Sequence, residues 1–224
     1  MKIVVVGPLQ SGKSSYIQYL DDKALNVQVK GQNNKYYTVA MDLASLKLNG
    51  FDIFLFGTPG LLRFRVMRDL VCNGADGFIF VFDAANPETD EEAISILNSV
   101  RKQDVPIIYI ANKQDLKEAR SPEIIKNQNK LPQECKIFPT STKTGLNIKE
   151  SLNYLVNEVY ENYRELLQIL QNYENNIKGL AEKLNKNKAE MRDFLNSLEI
   201  KRFIEIDRIQ KTYQVKKGLK NIAI

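Results

Sequence analysis

Apolar and polar positions in the first 160 residues change rhythm repeatedly. Ile3–Val6 is a short β-branched run with no polar alternation, the pattern of a strand buried on both faces. A Gly-containing turn follows, then a helical stretch from about Lys13 to Leu20. Leu43–Leu48 and Phe51–Phe56 flank Asn49-Gly50, a dipeptide that favours a type I′ turn and so predicts two antiparallel neighbours. Gly77–Phe82, Pro106–Ala111 and Lys136–Thr140 read as three more strands. Arg65–Val71, Glu88–Lys102 and Pro122–Gln128 read as helices between them. Strand–helix alternation of this kind predicts an α/β fold in three layers, with a six-stranded, mostly parallel sheet and helices on both faces.

Past residue 160 the period becomes purely helical. Tyr163, Leu166, Leu170, Tyr173, Ile177, Leu180 and Leu184 recur at spacings of 3 and 4, a heptad seam. With Leu155 and Val159 it predicts one helix continuing out of the domain, interrupted only by Gly179. About thirty residues at 1.5 Å each would reach ~45 Å. The seam is expected to bury itself on a partner helix, either the extension's own C-terminal part or a second chain; the alternative is docking on the core of the first domain. From Ala189 onward the pattern predicts a helix, a short strand at Arg202–Ile206 and further short helices. The division expected is a domain at 1–160 and a helical extension at 161–224.

Composition narrows the class. Of 224 residues 43% are apolar and 26% charged, ordinary for a soluble globular chain. There is no histidine, which excludes His-based catalysis and His-ligated zinc. Cys72 and Cys135 make no metal or disulfide pattern, and a reducing, cytoplasmic compartment is the simplest expectation. No stretch approaches the ~20 apolar residues of a membrane span, and no lipidation signal is legible. The net charge of +5 gathers late in the chain. Lys201, Arg202, Arg208, Lys211, Lys216, Lys217 and Lys220 face only Glu205 and Asp207. Such a tail is either a solvated face or a contact for nucleic acid or an anionic membrane.

The chemistry is concentrated in three loops. Gly7-Pro8-Leu9-Gln10-Ser11-Gly12-Lys13-Ser14, continued by Ser15, matches the phosphate loop G-x-x-x-x-G-K-[ST], directly after a buried strand and opening a helix. Successive backbone N–H groups make an anion nest there, and the helix N-terminus adds partial positive charge. Lys13 would meet the β- and γ-phosphates, and the Ser14 hydroxyl would ligate Mg²⁺. Asn112-Lys113-Gln114-Asp115 follows a strand at the carboxyl edge of the sheet, where ligands of this architecture bind. The Asp115 carboxylate can accept from both the ring N–H and the exocyclic amine of guanine, a donor pair adenine lacks. Lys113 can cover the base face and Asn112 can brace the loop. Ser141, Thr142 and Lys143 follow the last strand, where a backbone N–H would meet the guanine carbonyl.

In order and spacing these motifs resemble the Ras-like small GTPases over residues 1–160. Asn112-Lys-Gln-Asp-Leu116 has an Arf-like form. Thr38-Val-Ala-Met-Asp42 and Phe56-Gly57-Thr58-Pro59-Gly60 are similar to the bacterial and archaeal MglA-type branch. The resemblance implies a nucleotide-controlled switch that binds GTP and GDP with Mg²⁺ and meets effectors, and an activating or exchange protein, through its switch regions. It implies that Thr38 and Gly60 contact Mg²⁺ and γ-phosphate, so that Lys13, Thr38 and Gly60 form the catalytic set, and that Asp22–Tyr37 is a switch loop.

Two departures qualify this. The aspartate that usually begins D-x-x-G is Gly57. The usual water-orienting glutamine is Leu61, which has no hydrogen-bonding atom, so hydrolysis is expected to be slow. Asp42, four residues after Thr38, is expected to replace the missing carboxylate on the Mg²⁺ side. Its alternative is a strand cap or a lysine partner. Leu61, Leu62 and Phe64 form either a partner surface or part of the core. The leading expectation is a slow GTPase switch. The alternatives are a hydrolysis-deficient GTP-loaded scaffold, and a regulator with a nucleic-acid-binding helical module at 189–224. A phosphate-loop kinase or ATPase is disfavoured by Asn112–Asp115.

Overall fold

The computed structural model describes residues 1–25, 28–30, 36–38, 41–59 and 65–216, with the backbone alone at 28–30, 36–38 and 65. It divides into two compact units. The larger comprises Lys2–Leu46 and Phe54–Val159; the smaller comprises Met1, Lys47–Ile53 and Tyr160–Ile224.

Strands β1 (Lys2–Val6), β4 (Asp42–Leu48), β5 (Phe51–Gly57), β6 (Gly77–Asp83), β7 (Ile107–Asn112) and β8 (Ile137–Pro139) form one sheet in the order β4-β5-β1-β6-β7-β8. The pairs from β5 through β8 are parallel. Asn49 and Gly50 join β4 to β5 with φ of 48° and 79°, the positive pair a type I′ turn requires. Every residue of β6 is buried, which explains why Gly-Phe-Ile-Phe-Val-Phe-Asp shows no polar alternation.

Helices α1 (Lys13–Leu20), α2 (Arg65–Cys72), α3 (Asp90–Val100), α4 (Pro122–Gln128) and α5 (Ile148–Asn172) complete the α/β architecture. One core cluster joins Val4, Val6, Phe78, Phe80 and Phe82 to Ala93, Ile96, Leu97 and Val100 of α3 and Ile125 of α4. The Phe80 and Phe82 rings meet tilted, 4.9 Å between centroids and 55° between planes. On α1 the Tyr16 hydroxyl bonds the Ile148 carbonyl at 3.1 Å and Ser151 Oγ at 2.9 Å, fixing the helix that follows the phosphate loop to the start of α5. Gly77 lets α5 approach: a Cβ there would lie 3.0 Å from Val159 and 3.1 Å from Leu155.

The smaller unit contains the end of α5, then α6 (Ile177–Lys183), α7 (Lys188–Ile200), β9 (Ile204–Asp207) and β10 (Thr212–Val215). Asn187 caps α7, accepting from Ala189 and Glu190 N–H, while Glu190 accepts from Asn187 N–H in return. β9 and β10 are antiparallel, and Tyr213 of β10 donates to the Leu170 carbonyl of α5 at 2.8 Å.

Three sequence expectations are corrected here. The heptad seam is not one helix. α5 stops at Asn172, Asn175 takes a left-handed φ of 63°, and Asn176 caps α6 by accepting from Gly179 N–H. Two successive asparagines are a C-terminal left-handed residue and an N-cap, and these local bonds outweigh the continuing apolar period. Residues 212–215 are a strand rather than part of a short helix, because Thr-Tyr-Gln-Val alternates with Tyr213 and Val215 buried. Within the expected switch loop, β2 (Gln28–Lys30) and β3 (Tyr36–Thr38) pair as an antiparallel ribbon, consistent with the β propensity of Val29, Tyr36 and Tyr37.

Candidate functional site

The three motif loops meet at the carboxyl edge of the sheet in the larger unit. The phosphate loop leaves β1 at Gly7, whose φ is 148°; a Cβ there would collide with the Val81 carbonyl oxygen. Pro8 is buried, Leu9 half-buried and Gln10 exposed, with a left-handed φ of 61°. Gly12 caps α1 with φ 101°, and a Cβ on it would run into the Asn112 amide. Neither glycine can gain a side chain without moving this loop.

Lys13 lies buried over its own loop. Its ammonium donates to the Gly7 carbonyl at 3.0 Å and the Pro8 carbonyl at 2.6 Å. Burial pulls its pKa down to about 8, opposed by the charges of Asp42 and Glu92. A polyanion beside it would restore the full charge. Ser15, the third residue of α1, is exposed.

Asn112 joins the loops. Its amide N–H donates to the Ser11 carbonyl at 2.8 Å, and its Oδ1 accepts from Thr142 N–H at 3.3 Å and Thr140 Oγ1 at 3.4 Å. Ser141 Oγ donates to Asp115 at 2.6 Å while accepting from Lys143 and Thr144 N–H at 3.2 Å each. The Ser141 bond holds the exposed Asp115 carboxyl below its usual range, so it is ready to accept two hydrogen bonds. Lys113, with a left-handed φ of 71°, is anchored by an ion pair to Asp83 at 2.5 Å. Asp83 was missed in the sequence, although an acid ending the apolar run of β6 was a visible signal.

Asp42 opens β4 and is 1% exposed. It accepts from Ser14 Oγ at 2.7 Å. Its other oxygen, Oδ1, is buried with no hydrogen-bond partner among the described residues. Burial raises its pKa, against the Ser14 hydroxyl and the Lys13 charge. A Cβ on Gly57 would lie 2.6 Å from Asp42 Oδ2, so the Asp42 carboxylate occupies the space a side chain at 57 would take. An unpartnered buried carboxylate oxygen beside a hydroxyl fits a hydrated divalent cation. Thr38 has its backbone opposite Gln28 in the ribbon; its side chain, with Gly60, Leu61, Leu62 and Phe64, lies outside the described residues.

A mostly parallel sheet carrying a phosphate loop tied by Asn112 to an Asn-Lys-x-Asp loop defines a nucleotide-binding α/β domain. Comparison with known proteins makes this specific: the model of the Ras family matches residues 2–161, and the chain belongs to that family, the Ras-like small GTPases. It is similar to an uncharacterized protein of Methanocaldococcus jannaschii, 35% identical over 126 residues that cover 55% of this chain and 77% of that one. It is also similar to Ras-related protein RabH of Dictyostelium discoideum, 27% identical with 71% and 81% covered. Ras-related protein Rab-7b of Bos taurus is 24% identical, with 75% and 86% covered.

Proposed function

We propose that residues 1–160 form a GTP-binding switch domain that takes GTP or GDP with Mg²⁺ and hydrolyses GTP slowly, and that 161–224 is an appended module. The observation that carries the reading is the Asn112 bridge: its 2.8 Å bond to Ser11 ties the loop for phosphates to the loop for a base. On this reading Lys13 neutralises the phosphates, Asp115 selects guanine, and Ser141–Lys143 line the base. Ser14, Thr38 and Asp42 would hold Mg²⁺, whose chemistry is to neutralise charge between the β- and γ-phosphates. Exchange of a carboxylate from position 57 to Asp42 supports kinship with the MglA-type branch. Val66 and Leu70, one turn apart on α2 and 74% and 71% exposed, support effector contact through the second switch region.

Nucleotide analysis of the purified chain, with affinities for GTP and ATP, tests the reading. GTP should bind at least ~10³-fold more tightly than ATP, because an unpaired Asp115 penalises the wrong base. Asp115→Asn should weaken GTP and favour xanthosine triphosphate. Similar affinities for ATP and GTP in the unmutated chain would end the proposal.

Leu61 favours a second reading, a GTP-loaded scaffold with negligible turnover. Single-turnover hydrolysis separates the two. A slow switch gives a rate near or below ~10⁻⁴ per second that Leu61→Gln raises; a scaffold gives no phosphate release from either chain.

A further inference from the structure

The smaller unit carries a groove of about 1040 Å³ remote in sequence from every nucleotide motif. Its walls are α6, α7 and the β9–β10 hairpin. Ile177, Ala181, Met191, Leu195 and Ile206 supply an apolar lining. Lys178, Lys188, Arg192, Arg208 and Lys211 also line it, against one acid, Asp207. Ile209, in the hairpin turn between Arg208 and Lys211, is 94% exposed.

We propose that this groove docks an amphipathic helix of a partner protein, apolar on one face and acidic on its flanks. An apolar lining with one displayed isoleucine gains little from phosphates, but it suits a helix presenting residues at i, i+3, i+4 and i+7. The cations fix the sign of the partner's flanks.

A nucleic acid is the competing occupant, because α6, a four-residue turn and α7 followed by a hairpin is an order that DNA-reading modules use. The local shape argues against it. α7 lines a concavity between α6 and the hairpin, whereas a reading helix must protrude into a major groove. The chain's own residues 217–224 add Lys217 and Lys220 and no acidic side chain, so they match the groove's charge poorly.

The groove itself is stably built. Asn187 and Glu190 close a capping box at the start of α7, and the Glu199 carboxylate accepts from Ile206 N–H at 3.1 Å as well as from Arg208. The hairpin turn is set by Asp207 Oδ1, which accepts from Ile209 and Gln210 N–H at 2.9 Å. A preformed groove binds without first being ordered, which favours measurable affinity for a short helix.

The test uses the full chain and a displayed library of helical peptides, about four turns long, with apolar residues fixed at i, i+3, i+4 and i+7 and the flanks randomised over acidic, basic and neutral residues. Selection should enrich Asp and Glu in the flanks. The best peptide's affinity, read by fluorescence anisotropy, should fall about tenfold or more in Lys188→Glu/Arg192→Glu, in Ala189→Trp, and with rising salt. These three residues line the groove and are exposed, so far-UV circular dichroism and the melting temperature of the same variants serve as the control for folding. No enrichment, enrichment without acidic bias, or equal affinity for the variants would overturn the proposal. So would a DNA duplex that binds the same residues more tightly than any peptide, or peptide binding that emerges only when residues 217–224 are removed.

Discussion

Asp42 and Gly57 are a pair that makes sense only together. The carboxylate needs the space that a Cβ at 57 would remove, and on the proposed function Asp42 stands in for the carboxylate missing at 57. Asp42→Ala should therefore raise the Mg²⁺ needed for half-maximal GTP binding about tenfold, the lower end of the effect of losing an outer-shell partner. Gly57→Ala should do the same by displacing the Asp42 carboxylate, although it adds only a methyl group. Base selectivity should be unchanged in both. A titration of Mg²⁺ at fixed GTP decides it, and an unaltered midpoint in either variant would count against the arrangement. At the same scale, burial pushes the Cys72 thiol up to about 11. A thiol raised in the fold binds more protons there than when unfolded. Its stabilising effect is present below its ordinary value of 9.0 and is lost as pH rises through about 11. Half-buried Cys135 should thus be alkylated by iodoacetamide before Cys72, with mass spectrometry locating the label. The phosphate and base motifs were legible as residues because their chemistry is contained in a few consecutive positions. Asp83 was not, because its role depends on β6 and β7 lying side by side, with Asp83 opposite Asn112.

Elements were legible where one period dominates. The span of α1 and that of α4 agree with the sequence pattern, and α4 begins at Pro122 after a Ser121 N-cap that accepts from Ile124 N–H. The extension misled because the heptad spacing of Tyr163–Leu184 survives a break: Leu170 on α5 and Leu180 on α6 are both inaccessible. Period alone does not report a cap. Gly179, read as a flaw in a long helix, stands where Asn176 folds back over the first turn of α6; a Cβ there would lie 2.5 Å from the Asn176 amide. Helix propensity favours Gly→Ala by about 1 kcal/mol. Loss of the displaced cap costs about the same. Gly179→Ala should accordingly leave the denaturation midpoint nearly unchanged, whereas Asn176→Ala should lower stability by about 1 kcal/mol. Chemical denaturation of the two variants checks this, and a clear stabilisation by Gly179→Ala would show that the cap contributes nothing.

At the scale of the molecule, the extension does not fold on its own helices alone. The tip of the β4–β5 hairpin and the first residue belong to the same compact unit. Phe51 is 2% exposed, its ring 5.7 Å from Tyr160 and 6.1 Å from Phe203. Phe203 in turn meets Tyr163 edge-on at 4.8 Å. The Met1 ammonium donates to the Asp52 carbonyl at 2.6 Å and the Lys201 carbonyl at 3.3 Å, and Lys216 pairs with the Asp52 carboxylate at 2.6 Å. The sequence could not reveal this, since Phe51 reads as one more inward residue of a strand and its partner lies some 150 residues on. Magnitudes rank the contacts. Removing a buried phenylalanine side chain costs about 3–5 kcal/mol. The Asp52–Lys216 pair is partly solvated, and such pairs contribute about 1 kcal/mol or less. Against a total stability of roughly 5–15 kcal/mol, the first is large and the second minor. A chain ending after Tyr160 loses Phe203 and Lys216 together and leaves Phe51 facing solvent. It should melt well below the full chain in saturating GDP. Phe51→Ala in the full chain should reproduce most of that loss, and Lys216→Ala little of it. A truncated chain melting with the full one would show instead that the hairpin tip draws no stability from the extension.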